Sequence, residues 1–156
     1  MSHVIKDPKA IKPRVGSGYP SPYDEICNRR TKHPLGDAVG LKNYGVNYTV
    51  LPPGQASAQR HWHRVQDEFV WVLEGELVLV TDAGEELLTA GMAAGFPAGE
   101  QDGHHLVNRT DKPAVYLEIG DRVPGDSGEY PDIDMKFAYD ENGKGVFSRK
   151  DGTPFK

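Results

Sequence analysis

Residues 61–68, His61-Trp62-His63-Arg64-Val65-Gln66-Asp67-Glu68, together with His104-His105 further along, decide how this chain is read. In an extended strand residues i and i+2 share a face, so His61 and His63 project to one side and Trp62 to the other. Two imidazoles close together on one face are what two ligands of a single metal ion require. Glu68 follows the bend at Arg64 to Asp67 and opens the run Glu68-Phe69-Val70-Trp71-Val72, in which Glu68, Val70 and Val72 share a face. A carboxylate heading a strand that is apolar on both faces is costly to bury unless it is paired, protonated or bound to a cation. His104 shares a face with Leu106 and Asn108 and offers a third imidazole; His105 replaces it if the strand register shifts by one. Asp67, by alternation, points away from Glu68 as a surface charge. Gln59 shares the face of His61 and His63 and is a candidate ligand contact.

Outward from this stretch the texture is that of short strands. Val46 to Leu51, Glu68 to Leu73, Glu76 to Thr81 and Val115 to Ile119 are β-branched or aromatic runs of strand length, separated by turn signals. Glu74-Gly75 and Asp82-Ala83-Gly84 predict tight hairpins between neighbouring runs, and so an antiparallel meander. In the last run Tyr116 and Glu118 alternate with Val115, Leu117 and Ile119, and either set can face the interior; both residues read as core or surface positions rather than catalytic ones. Residues 1–44 are rich in Pro, Gly and charge and carry no sustained period, which predicts an arm lying on the domain. Only Asp24 to Arg30 suits a helical turn or two, and His33 to Asp37 reads as a turn. Past residue 120 the chain turns acidic and Pro/Gly-rich. Met135 to Ala138 and Val146 to Ser148 then flank Asp140-Glu141-Asn142-Gly143 as a terminal hairpin. The organisation is an arm over 1–44, a core over 45–120 and a C-terminal extension over 121–156, all within one domain.

Composition agrees with this reading. A chain of 156 residues suits one domain with its own core, and 18 Gly with 12 Pro disfavour a helical bundle and favour an all-β fold. Lys and Arg number 18 against 23 Asp and Glu, a formal charge of -5 that leaves no basic surplus for nucleic acid or an anionic membrane. The longest apolar runs, such as Leu77 to Val80, are only strand-sized, so no membrane helix is expected. Met1 to Lys12 has no apolar core of the kind a secretory signal needs, and the single Cys27 cannot form an internal disulfide, which together point to a cytoplasmic protein and an inert thiol.

Gly54, His61, His63, Glu68 and Gly75, followed by Gly91, Pro97, Gly99, His104 and Asn108, resemble the two sequence motifs of the cupin superfamily, in order. The resemblance spans about residues 45–120 and implies an all-β double-stranded β-helix, a jelly-roll barrel of two packed sheets with a metal at one end of its cavity. It implies His61, His63, Glu68 and His104 as ligands of one divalent metal ion per chain, which could be iron, zinc, manganese or nickel. Two spacings depart from the family pattern. Six residues separate Gly54 from His61 instead of five, and Glu100-Gln101-Asp102-Gly103 separates Gly99 from His104 where two residues are usual. Counting alone therefore places Asp102 where the usual histidine falls, while the spacing from His104 to Asn108 matches the family, and spacing within a strand is less elastic than loop length. Asn108, Gly75, Gly91, Pro97 and Gly99 read as structural.

Three neutral imidazoles and one carboxylate around a divalent cation leave a net charge of about +1 and about two adjacent open positions, a site for a bidentate oxygen-rich anion. The resemblance implies a metal-dependent enzyme on a small molecule. Oxidoreductase chemistry of the dioxygenase kind comes first, Lewis-acid isomerase, lyase or decarboxylase chemistry next, with a non-catalytic binding or sensing module as the alternative. Glu68 is the one candidate for acid–base work. The resemblance also implies a homodimer in which the arm pairs with the neighbouring subunit's sheet.

Overall fold

The computed structural model describes residues 2–156. Thirteen strands follow in order among the described residues: β1 (Arg14–Val15), β2 (Thr31–Pro34), β3 (Tyr44–Leu51), β4 (Trp62–His63), β5 (Glu68–Glu74), β6 (Glu76–Thr81), β7 (Gly84–Thr89), β8 (Ala93–Phe96), β9 (His105–Val107), β10 (Ala114–Asp121), β11 (Ser127–Tyr130), β12 (Met135–Tyr139) and β13 (Gly145–Ser148). One single-turn helix, α1 (Leu35–Ala38), and two 3-10 turns complete the secondary structure. Every strand pairing is antiparallel. A six-stranded sheet in the order β1-β2-β3-β10-β5-β8 faces a three-stranded sheet, β7-β6-β9, and a four-stranded one, β13-β12-β11-β4.

The main core forms between these sheets from inward positions of alternating strands: Leu51, Val70, Val72, Leu77, Leu79 and Leu106 among others, with Tyr116. Each fully buried aliphatic side chain of this kind contributes about 1.5–3 kcal/mol. A second cluster, Tyr130, Met135 and Phe137, packs against Tyr19 and Tyr23 of the arm and Phe147 and Phe155 of the tail, so arm and extension close over the same end of the barrel.

Asp82-Ala83 does join β6 to β7 as a two-residue hairpin, with Thr81 opposite Gly84. The hairpin expected at Glu74-Gly75 does not form. β5 pairs with β10 and β8, whereas β6 pairs with β7 and β9, so the chain crosses from one sheet to the other at this point. Gly75 makes that corner at φ 78° with its Cα against the β10 backbone; a Cβ there would lie 3.1 Å from the Pro113 carbonyl oxygen. Local turn chemistry marks the bend but not its partner, because closure of the barrel decides which sheet each strand joins.

The arm also differs from its sequence reading. Thr31–Pro34 is a strand, and it pairs with β3 of its own barrel, with Lys32 opposite Thr49 and His33 opposite Tyr48. Only Leu35–Ala38 turns, as the short helix. A four-residue segment ending in Pro carries no visible period, and its strand exists because the β3 edge offers hydrogen bonds. The terminal hairpin forms as expected, β12 against β13. No helix is long and apolar enough to cross a membrane.

Candidate metal centre

Four strand ends bring the centre together. His61 and His104 form an antiparallel bridge, with His61 N–H donating to His104 O at 3.2 Å and His104 N–H to His61 O at 2.9 Å. Trp62 and His63 continue as β4, Trp62 turned away and buried, so the two histidines share a face with ring centroids 5.0 Å apart. Glu68 opens β5 opposite Phe96, and Phe96 stacks flat on the His104 ring at 3.6 Å, fixing its plane.

The carboxylate of Glu68 meets all three imidazoles. Oε2 accepts from His104 Nε2 at 2.5 Å, Oε1 lies 2.9 Å from His63 Nε2, and Oε1 lies 3.6 Å from His61 Nε2. Ligand atoms of His61, Glu68 and His104 all fall within 4.8 Å of one another, a spacing that could hold one ion. His63 stands at the edge of this tight set. His105 is elsewhere, its Nδ1–H donating to Ala58 O at 2.7 Å, so the register is the one in which His104 reaches Glu68. Gln59 is used differently from the expectation: its amide donates to Tyr23 O at 2.9 Å and ties the arm down. Asp67 accepts from Ala98 N–H at 2.7 Å away from the centre, and Asn108 donates to the Leu51 and Lys112 carbonyls as a structural brace.

The outer contacts set the tautomers. His61 Nδ1 lies 2.8 Å from Gln59 O, which can only accept, so Nδ1 carries a proton and Nε2 is the nitrogen turned toward the centre. His63 Nδ1 donates to Asp126 Oδ2 at 2.5 Å, and its buried Nε2 faces Glu68 Oε1. A buried imidazole braced from outside with its inner nitrogen turned to a shared carboxylate suits a cation, and the donor set of nitrogens and one carboxylate suits iron, zinc, manganese or nickel. Asp126 was invisible in the sequence. It sits in the acidic Pro/Gly stretch after β10, is 1% exposed, and also accepts from Val65 N–H at 3.1 Å.

Burial pushes the His63 imidazole down, yet the carboxylates of Glu68 and Asp126 outweigh it and raise its pKa to about 9. Burial likewise acts upward on Glu68, but the surrounding imidazoles, His61 foremost, hold it well below the usual carboxylate range. His104 is lowered, mainly by burial, against the pull of Glu68.

The centre opens into a cavity of about 280 Å³. Of the alternatives on β10, Tyr116 and Glu118 face it. Glu118 pairs with Val70, one same-face step along the sheet from Glu68, and Lys32 from the arm holds it with Nζ 2.6 Å from Oε2 and 3.0 Å from Oε1. Tyr116 is 1% exposed with its hydroxyl lacking a partner, and burial pushes its pKa far up. Tyr130 and Phe147 of the extension line the opposite wall.

Antiparallel sheets packed around a cavity with a three-histidine, one-carboxylate cluster in its wall define a cupin, and the chain belongs to the cupin superfamily. Residues 47–120 match the cupin domain family. A sugar phosphate isomerase of the cupin superfamily from Silicibacter pomeroyi is 47% identical, with a TM-score of 0.91 over 96% of this chain and 95% of that one. A putative sugar phosphate isomerase from Acidithiobacillus ferrooxidans is 28% identical, with a TM-score of 0.73 over 82% of this chain and 81% of that one. A predicted oxalate decarboxylase from Thermotoga maritima, 19% identical with a TM-score of 0.62 over 76% of this chain and 98% of that one, shares the fold. No curated protein matches the chain.

Proposed function

We propose that the protein is a metal-dependent isomerase of a small hydroxy-carbonyl compound, with a sugar phosphate as the substrate class. The observation that carries this reading is the presence in one cavity of a cluster fit for a metal and, apart from it, a second inward carboxylate, Glu118, oriented by Lys32. Similarity to the Silicibacter pomeroyi protein over nearly the whole chain supports this reading, and on that support we read isomerase chemistry ahead of the oxygen chemistry that the sequence alone put first.

His61, His63, Glu68 and His104 would hold the ion, which when bound polarises a carbonyl as a Lewis acid. Aldose–ketose interconversion moves one proton between adjacent carbons and one between their oxygens. Glu68 has both oxygens engaged by imidazoles. Glu118 stands apart from the ligand cluster, and in this reading it is the group that takes the proton from the carbon beside the carbonyl and returns it to the former carbonyl carbon, with Lys32 holding its carboxylate in place. Tyr116, kept protonated by burial, donates its hydroxyl to a substrate oxygen in the same cavity. The apolar walls at Val70, Phe96, Leu106 and Phe147 exclude water from the exchanging proton.

The test is hydrogen exchange. The protein loaded in turn with manganese, zinc and iron(II) is incubated in D2O with a panel of aldose and ketose phosphates and followed by NMR. Deuterium appearing at the carbon beside the carbonyl, abolished in Glu118→Gln with metal content unchanged, is expected. Oxygen consumption by the iron form without any exchange would replace the isomerase with the oxidoreductase reading.

A further inference from the structure

β1 and β2 pair in a register that sets Arg14 directly opposite Lys32, with Val15 opposite Thr31. Like charges facing each other across a ladder are destabilising, so the arrangement needs a reason beyond folding. Arg30 lies two residues before Lys32 and thus on the same face, which gathers three cations over one short ladder. Only Lys32 has a counter-ion, Glu118. Among the described residues neither Arg14 nor Arg30 has a carboxylate within 4.0 Å. Arg14 donates to the side-chain oxygen of Asn47 at 3.3 Å, and Arg30 donates only to neutral backbone carbonyls, Gly16 O at 2.6 Å and Ser57 O. Arg30 is nonetheless 7% exposed, and its Nε is buried without any partner. A buried guanidinium compensated only by dipoles is an arrangement that an anion stabilises.

These residues surround a second cavity of about 320 Å³ at the seam between arm and barrel, lined by Arg14, Arg30, Lys32, Asn47 and the segment Val15 to Gly18, with no acidic side chain among them. Ser17, Gly18, Arg30 and Lys32 also line the cavity of the metal centre, so the two spaces share a wall. We propose that Arg14, Arg30 and Lys32 form a phosphate-binding subsite that holds the phosphoryl group of the substrate while its hydroxy-carbonyl end reaches the metal centre. Guanidinium groups match phosphate oxygens in fixed geometry, and the small residues Gly16, Ser17 and Gly18 leave the oxyanion room to approach. The subsite itself follows from the charges and the register; its role toward a sugar phosphate rests on the isomerase reading above.

The experiment titrates the full-length protein with inorganic phosphate at low ionic strength, read by 31P NMR line broadening and calorimetry, without any turnover. Wild type, Arg14→Ala, Lys32→Met and His61→Ala are compared, with circular dichroism confirming that each is folded. Binding by wild type and by His61→Ala with equal affinity, weakened about tenfold or more in both Arg14→Ala and Lys32→Met, is expected, since each substitution removes a charge-assisted hydrogen bond to the anion. Loss of phosphate binding in His61→Ala with Arg14→Ala unaffected would assign the anion to the metal centre and overturn the subsite. So would absence of binding by wild type at millimolar phosphate. Phosphate binding at the arm without isomerisation of any sugar phosphate would instead leave the subsite standing and sink the isomerase reading.

Discussion

Asp126 Oδ2 lies 2.5 Å from His63 Nδ1, joining the C-terminal extension to the metal centre across 63 positions of sequence. The buried carboxylate fixes the His63 tautomer and makes the inner nitrogen more basic. Asp126→Asn is expected to keep the fold and lower metal affinity by about 10–100-fold, checked by competition against a coloured chelator.

The two carboxylates beside His63, Glu68 foremost and Asp126 with it, give the metal-free protein a pH dependence of definite sign. The folded pKa of His63, about 9, lies above its ordinary 6.5, so the charged imidazole stabilises the fold fully below pH 6.5, and that contribution disappears as pH rises through 9. Thermal unfolding of chelator-treated protein should therefore show declining stability across this interval, flattened in His63→Gln. Metal affinity should change in the opposite direction, rising with pH as the competing proton leaves.

Metal binding stabilises the native state by mass action. At a free ion concentration of 100 times Kd the gain is about 2.7 kcal/mol. A rise in Tm with added manganese, zinc or iron(II) in wild type, absent in the double variant His61→Ala/His104→Ala, is the expected scan.

Gly128 on β11 lies opposite His63 on β4, and a Cβ there would collide with the Trp62 carbonyl oxygen and the Phe137 ring. Neither can move far, one being backbone and the other part of the second core. Gly128→Ala should cost at least about 1–3 kcal/mol in denaturant unfolding and, by pushing β11 off β4, weaken metal binding as well.

Tyr116 separates stability from activity. Its buried hydroxyl has no partner, so Tyr116→Phe should leave stability unchanged or raise it by up to about 1–3 kcal/mol. If the hydroxyl donates to a substrate oxygen, turnover falls in the same variant while metal content holds. Unchanged turnover would remove Tyr116 from the reaction.

How much of this was legible in the sequence depends on the range of the interactions involved. Alternation placed His61 and His63 on one face with Trp62 behind them, and the spacing from His104 to Asn108 selected the imidazole that reaches Glu68. It left the two faces of β10 undecided, because Val115, Leu117 and Ile119 are as apolar a set as an interior could want. Tyr116 and Glu118 turn inward because the cavity supplies Lys32 for the carboxylate and the main core for the ring. At Glu74-Gly75 the turn was legible and its partner was not, since a two-residue signal describes a bend and not the sheet beyond it.

The sequence by itself determined the all-β class, the cupin motifs and the shared face of His61 and His63, because strand alternation is a local period of two that side-chain chemistry writes directly into neighbouring positions. Only the tertiary structure decided that Asp126 braces His63, that Lys32 of the arm holds Glu118, and that Arg14 faces Lys32 beside the cavity. Each of these joins segments far apart in the chain through barrel closure and sheet register. Those are set by the packing of the whole chain and leave no periodic mark on either partner.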